Sequence, residues 1–109
     1  MLQERGPYAE QQPSLSIATN VLAYDTIKAV RHSPAFHARA WRILDRWALN
    51  NPTQVRQMEA EGEIILLERL LIQQELEHQA LCSEEGLNQQ RHGLTEHEIL
   101  TLHGVSSCL

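Results

Sequence analysis

The chain has 109 residues, of which 42% are hydrophobic and 21% are charged, and its formal net charge is −5 at pH 7. The length predicts a single domain, and the balance of apolar and charged residues favours a folded chain over a disordered one. The negative charge argues against broad, nonspecific binding to nucleic acid or to acidic membrane surfaces.

The sequence predicts a cytoplasmic protein. Its longest run of large aliphatic residues, 64–67, is far too short to cross a bilayer. Residues 1–13 contain no apolar core of an export signal. The two cysteines, Cys82 and Cys108, are too few for a disulfide framework and fit a reducing compartment, with a bridge between them as the alternative.

The chain divides into three regions. Residues 1–13 are rich in Pro, Gly and Gln and predict a flexible arm. Residues 14–104 predict a single helical domain, and residues 105–109 predict a C-terminal tail. We find no strand-like alternation of apolar and polar residues, so the predicted fold class is all-α.

Four helices are predicted from apolar periodicity and from start and stop signals. Ser33-Pro34 and Asn51-Pro52 each combine a capping residue with a proline that suits the first helical position. The predicted helices span roughly 15–31, 34–49, 52–84 and 95–103.

Signals near the C-terminus set the last two boundaries. Gly86 is expected to end the third helix in the left-handed cap conformation, and residues 87–93 then form a polar connector. Thr95 and Glu98 match a capping box at the start of the fourth helix, which Gly104 closes.

The long helix at 52–84 is the central element of this prediction. Unbroken, it would span ~50 Å, whereas a compact chain of this size has a diameter of roughly 34 Å. It would therefore overhang its own domain unless it breaks at Gly62, its one weak position. Seven of the nine residues 64–72 are aliphatic and cover more than one side of the helix, as in a buried helix.

We therefore predict a homodimer, or a higher oligomer, that packs this segment against its symmetry mate. The predicted interface residues are Trp47, Ile64, Ile65, Leu67, Leu70, Leu71 and Ile72.

Charge is distributed unevenly along the chain. Segment 28–46 holds five basic residues against one acid, and segment 59–85 holds eight glutamates against one arginine. The favoured interpretation is that the basic helix lies against an acidic face of the long helix. An alternative function is a DNA- or RNA-associated regulator, because Arg39, Arg42 and Arg46 are spaced so that they share one helix face.

A metal-binding helical bundle is a second alternative. Glu75 and His78 form a Glu-x-x-His pair, the spacing that di-iron bundles use, and a homodimer would supply the second pair by symmetry. A single short motif of this kind is usually a solvated pair, so we predict no metal and no cofactor.

No motif in the sequence specifies a reaction. We find no glycine-rich phosphate loop, no serine elbow and no cysteine beside an evident base. We therefore predict a non-enzymatic interaction protein: an adaptor, an inhibitor or a regulatory subunit. Its expected partners are a second copy of itself and another protein, with nucleic acid as the alternative and with no membrane.

Overall fold

The computed structural model describes residues 15–109, and the predicted arm at 1–13 lies outside this range. Within it the regular structure is entirely helical, which confirms the predicted fold class, but six α-helices replace the four expected. The described residues form a body of 43 × 39 × 25 Å. The elements are a 3₁₀ helix at Ala18–Asn20, α1 (Tyr24–His32), α2 (Ala38–Asn50), α3 (Pro52–Glu61), α4 (Glu63–Cys82), α5 (Glu84–Arg91) and α6 (Glu96–Leu102).

The chain before α1 is held by a distant carboxylate. Asp45, on α2, accepts hydrogen bonds from the backbone N–H groups of Leu15, Ile17 and Ala18 at 2.9, 3.1 and 2.8 Å. These bonds fix a tight turn followed by the 3₁₀ helix. The predicted helix at 15–31 was therefore wrong over its first half, because its N–H groups are bound from elsewhere in the chain.

α2 begins later than predicted, because Gln74 of α4 binds the chain ahead of it. The Gln74 side-chain carbonyl accepts from the His37 N–H at 3.1 Å, and the Gln74 amide donates to the Ala35 carbonyl at 3.0 Å. Pro34 therefore lies in a turn, not at the first helical position, and the helix begins at Ala38.

The predicted long helix is broken at Gly62, which separates α3 from α4. Gly62 leaves the helical conformation, with φ 159° and ψ 128°. Its N–H still donates to the carbonyl of Met58, and its carbonyl accepts from the N–H of Leu66. The 20 residues of α4 span ~30 Å at 1.5 Å per residue, so the helix does not overhang the molecule.

A short helix, α5, occupies much of the predicted connector at 87–93. Ser83 begins it, since its hydroxyl oxygen accepts from the Gly86 N–H at 3.0 Å. Gly86 is helical, so its predicted role as a left-handed cap was wrong. A different constraint applies there: an added Cβ would lie far inside van der Waals contact of the Ala80 carbonyl oxygen.

Two apolar clusters form the core. The larger one gathers buried residues from Leu15 through the first half of α4, where Leu66 and Leu70 belong to it. The smaller one joins the end of α4 to α6 through Ala80, Leu81, Ile99 and Leu100. α4 therefore connects the two clusters and sets their relative position.

Gly86→Ala is expected to destabilise the fold, because the obstructing Ala80 carbonyl is backbone and cannot rotate away. Overpacking of this kind costs about 1–3 kcal/mol, so the melting temperature should fall by roughly 5 °C or more. Asn88→Ala, at an exposed position of α5, is the control and should leave the melting temperature unchanged or slightly higher. Equal melting temperatures for Gly86→Ala and the native chain would contradict this packing.

The predicted capping box of α6 is present and lowers the pKa of Glu98. Glu98 Oε1 accepts from the Thr95 N–H at 2.8 Å, and Thr95 Oγ1 accepts from the Glu98 N–H at 3.2 Å. The hydrogen bond from the Thr95 backbone has the largest effect, and the hydrogen bond with the Thr95 side chain adds to it. Both favour the ionised carboxylate and hold the pKa of Glu98 below its ordinary value.

This cap should therefore lose its effect in acid. Since the pKa of Glu98 is lower in the folded state than in the unfolded state, its contribution to stability is present above the unfolded-state pKa and is lost as pH falls through the folded-state pKa. An NMR titration of the Glu98 carboxyl carbon should give a higher midpoint in Thr95→Ala. Thr101→Ala, whose hydroxyl bonds the His97 carbonyl instead, should leave the midpoint unchanged.

Candidate interaction surface

One side of α4 is buried along its whole length. Its buried side chains recur at intervals of three and four residues, which places them on one helix face. The middle of this face is polar, because Gln73, Gln74 and Glu77 are each only 1% exposed. The sequence analysis did not predict that these three residues are buried. Their signal was the spacing, since Gln73 and Glu77 continue the series begun by Leu66 and Leu70.

The opposite side of α4 exposes large aliphatic side chains. The exposed fractions are 70% for Ile64, 44% for Ile65, 37% for Leu71, 56% for Ile72 and 44% for Leu76. We call these five residues the α4 strip. α4 is thus apolar on two sides, and only one side is covered by the described part of the chain.

The α4 strip forms two lines along the helix. With 3.6 residues per turn, residues four or seven apart lie close to one line. Ile65, Ile72 and Leu76 form the first line, and Ile64 and Leu71 form the second.

Acidic side chains separate these two lines. Glu68 and Glu75 are exposed, and the helical period places both between the lines. Arg69, which is the only arginine of a helix without lysine, is half-buried. Its guanidinium lies 5.2 Å from the ring centroid of Trp47, and its Nη1 donates to Gln73 Oε1 at 2.9 Å. The outward side of α4 is therefore apolar and acidic.

The predicted interface residues divide between the surface and the core. Four of the seven lie in the α4 strip, but Trp47 and Leu70 are fully buried within the chain itself. The prediction that these two residues form an interface was wrong, because both are buried in the core of the chain itself. Leu67 is partly buried against the same core. Leu76 was missed, although it continues the line of Ile72 by four residues.

A buried ion pair joins α2 to α4. Glu77 Oε2 accepts from Arg46 Nη2 at 2.5 Å, and Glu77 Oε1 lies 3.7 Å from Arg39 Nη1. Arg39 also reaches Glu96 at the start of α6, at 3.4 Å. The sequence-based expectation that the basic helix lies against the acidic one is confirmed, with Glu77 as the acid at its centre.

The C-terminal residues lie across this ion pair. Gln73 Nε2 donates to Glu77 Oε2 and to the Ser106 carbonyl, both at 2.7 Å. Arg46 Nε donates to the Ser107 carbonyl at 2.9 Å. The segment predicted to be a tail is therefore bound through its backbone to the polar middle of α4 and to α2.

These contacts weaken the nucleic-acid alternative. Of its three candidate residues, Arg39 and Arg46 are bound to glutamates, and only Arg42 is exposed. Three arginines that share one helix face therefore do not form a free basic stripe for phosphates, because a buried carboxylate holds two of them.

The metal alternative gains no support from the described residues. His78 faces the ring of His37, with centroids 6.2 Å apart, and its Nδ1 lies 3.6 Å from the Cys82 sulfur. Glu75 is exposed. Within residues 15–109, no group of three or more His, Cys, Asp or Glu side chains is placed to hold a metal ion. Cys82 and Cys108 are exposed free thiols.

The chain matches no protein-family model, no curated protein and no solved structure. Across residues 15–109, no helix combines the length and the hydropathy that crossing a bilayer requires.

Glu77→Gln is expected to destabilise the fold, because it keeps the shape of the side chain but leaves the positive charges of Arg39 and Arg46 without their buried partner. Breaking a buried pair from one side costs about 3 kcal/mol, the low end of the usual range, since both arginines keep some contact with solvent. The exposed Glu75→Gln is the control and should lie within about 0.5 kcal/mol of the native chain in urea unfolding. Equal stabilities for the two variants would show that the pair contributes nothing.

Proposed function

We propose that this chain is a non-enzymatic helical interaction protein, an adaptor, an inhibitor or a regulatory subunit, which binds another polypeptide through the α4 strip. The observation that carries the proposal is the exposure of five large aliphatic side chains on one helix whose other side already packs in the core.

The α4 strip supports an interaction role because its exposure brings no benefit to the isolated chain. Single exposed aliphatic residues are common on protein surfaces, but a continuous group on one helix is typical of a contact surface. Helix-in-groove and helix-to-helix recognition both use aliphatic anchors at intervals of three, four and seven residues. The α4 strip has the intervals of four and seven residues.

A non-enzymatic role agrees with the contacts of the interior polar groups. Asp45 binds three backbone N–H groups, and Gln74 binds the segment ahead of α2. Glu77 and Gln73 bind each other, the arginines of α2 and the C-terminal backbone. The hydrogen bonds described for these polar groups all go to other residues of the same chain, so the contacts support a structural role for these groups.

The homodimer predicted from the sequence had two physical motives. The first was the overhang of a long unbroken helix, and the break at Gly62 removes it. The second was an aliphatic surface too large for the chain to cover. This argument still applies, but only to the five exposed residues of the α4 strip. A second copy of the chain is therefore still a candidate partner, beside a different protein.

A photo-activated crosslinker placed at position 72 is expected to form adducts with a partner polypeptide in cells that naturally make the chain. The same crosslinker at position 102 is the matched control, because Leu102 is 63% exposed but lies outside the α4 strip. The adduct at position 72 should disappear when Ile65→Asp is added, since a buried carboxylate beside the contact is costly. An adduct of twice 12.5 kDa would identify a second copy as the partner.

Equal adduct patterns from positions 72 and 102, or an adduct that persists in Ile65→Asp, would overturn the proposal. Ile65→Asp should keep the native melting temperature within about 2 °C, because Ile65 is exposed and contributes little to the core. This check separates a lost contact from a lost fold.

A further inference from the structure

The charges within the α4 strip distinguish between its possible partners. Glu68 and Glu75 lie between the two aliphatic lines, so whatever covers the lines also covers or borders these carboxylates. Arg69 is the only arginine or lysine of α4, and it is already bound to Gln73 and lies over Trp47. The strip therefore presents two carboxylates, and α4 has no second arginine or lysine to pair with them.

A second copy of the chain fits this pattern poorly. Each copy would bring its own Glu68 and Glu75 to the contact. Because these acids lie between the aliphatic lines, an antiparallel pair of α4 helices places the acids of both copies within the same contact, and a parallel pair places each acid level with its mate. Like charges brought together at a contact oppose association and select against that partner.

We propose, on the basis of the proposed function, that the partner of the α4 strip is a basic amphipathic helix of a different protein. Its aliphatic residues cover the two lines, and its lysine or arginine side chains reach Glu68 and Glu75. The stems of long basic side chains pack on aliphatic neighbours while their charged ends meet carboxylates, which suits acids placed between aliphatic lines. The aliphatic residues supply most of the affinity, and the two glutamates select the partner.

The test uses two synthetic helical peptides with the same leucines at intervals of three and four residues. One carries arginines seven residues apart among the leucines, and the other carries glutamates at those positions. Binding to the full chain is measured by fluorescence anisotropy. The arginine peptide should bind at micromolar concentrations, as expected for a small contact, and about tenfold more tightly than the glutamate peptide.

Charge reversal on the chain makes the test specific. Glu68→Lys/Glu75→Lys should reverse the preference, so that the glutamate peptide binds more tightly. Glu84→Lys/Glu85→Lys makes the same change in net charge on exposed residues of α5 and should keep the native preference. If this control reverses the preference equally, net charge and not the α4 strip decides binding, and the inference is overturned.

Two further measurements separate this inference from the proposed function. Ile72→Asp should abolish binding of the arginine peptide, and binding that survives it would overturn both proposals, because the strip would then not be the contact. Light scattering should give 12.5 kDa for the native chain. A mass of twice that value, lost in Ile72→Asp, together with no binding of the arginine peptide, would make a second copy the partner. The proposed function would then stand and the basic partner would not.

Discussion

A carboxylate with 1% of its surface exposed is stable as an anion only if positive charge and hydrogen bonds compensate it, and Glu77 has both. Arg46 and Arg39 supply the charge from one face of α2, and Gln73 donates a further hydrogen bond from the preceding turn of α4. This pairing fixes the rotation of α4 against α2. The two apolar clusters lie on either side of it, so their relative position depends on the same contact.

The fixed rotation of α4 also explains why aliphatic residues face outward. With Glu77, Leu66 and Leu70 turned toward α2 and the core, the helical period turns Ile65 and Ile72 away from it. The helix carries more aliphatic residues than one face holds, and the rest of the described chain covers a single face. The aliphatic side chains of such a surface provide affinity for a partner but little selectivity. The glutamates among them provide selectivity and little affinity.

Local signals in the sequence predicted much of the fold. The all-α class, the proline at the start of α3, the weak point at Gly62 and the capping box at Thr95 each depend on nearby residues, and the structure contains all four. The failures have a shared cause. The first turn, the start of α2 and the C-terminal segment are set by side chains 27 or more residues away, and local periodicity contains no information about such partners.

The candidate surface was predicted in part for a related reason. Aliphatic content showed that the segment 64–72 has more apolar surface than one helix face, and the predicted interface included Ile64 and Ile72, which the structure exposes. Aliphatic content did not show which side of the helix faces inward. That depends on which polar residues share the three- and four-residue spacing of the buried aliphatic residues. Aliphatic content alone did not identify Gln73 and Glu77 as buried, so the rotation of the helix was undetermined and Leu70, which is buried, was assigned to the interface.

The way the C-terminal residues are bound has a consequence for how this chain can vary. Gln73 and Arg46 bind the main-chain oxygens of Ser106 and Ser107, which every amino acid possesses. The Ser107 side chain is therefore replaceable at little energetic cost, and replacing Ser106 loses only the hydrogen bond that its exposed hydroxyl accepts from the Cys108 N–H at 3.3 Å. The glutamine and the arginine that bind the backbone are not replaceable in this way. In related chains the amino acids at 106 and 107 should therefore vary, while the backbone keeps the same path over α4.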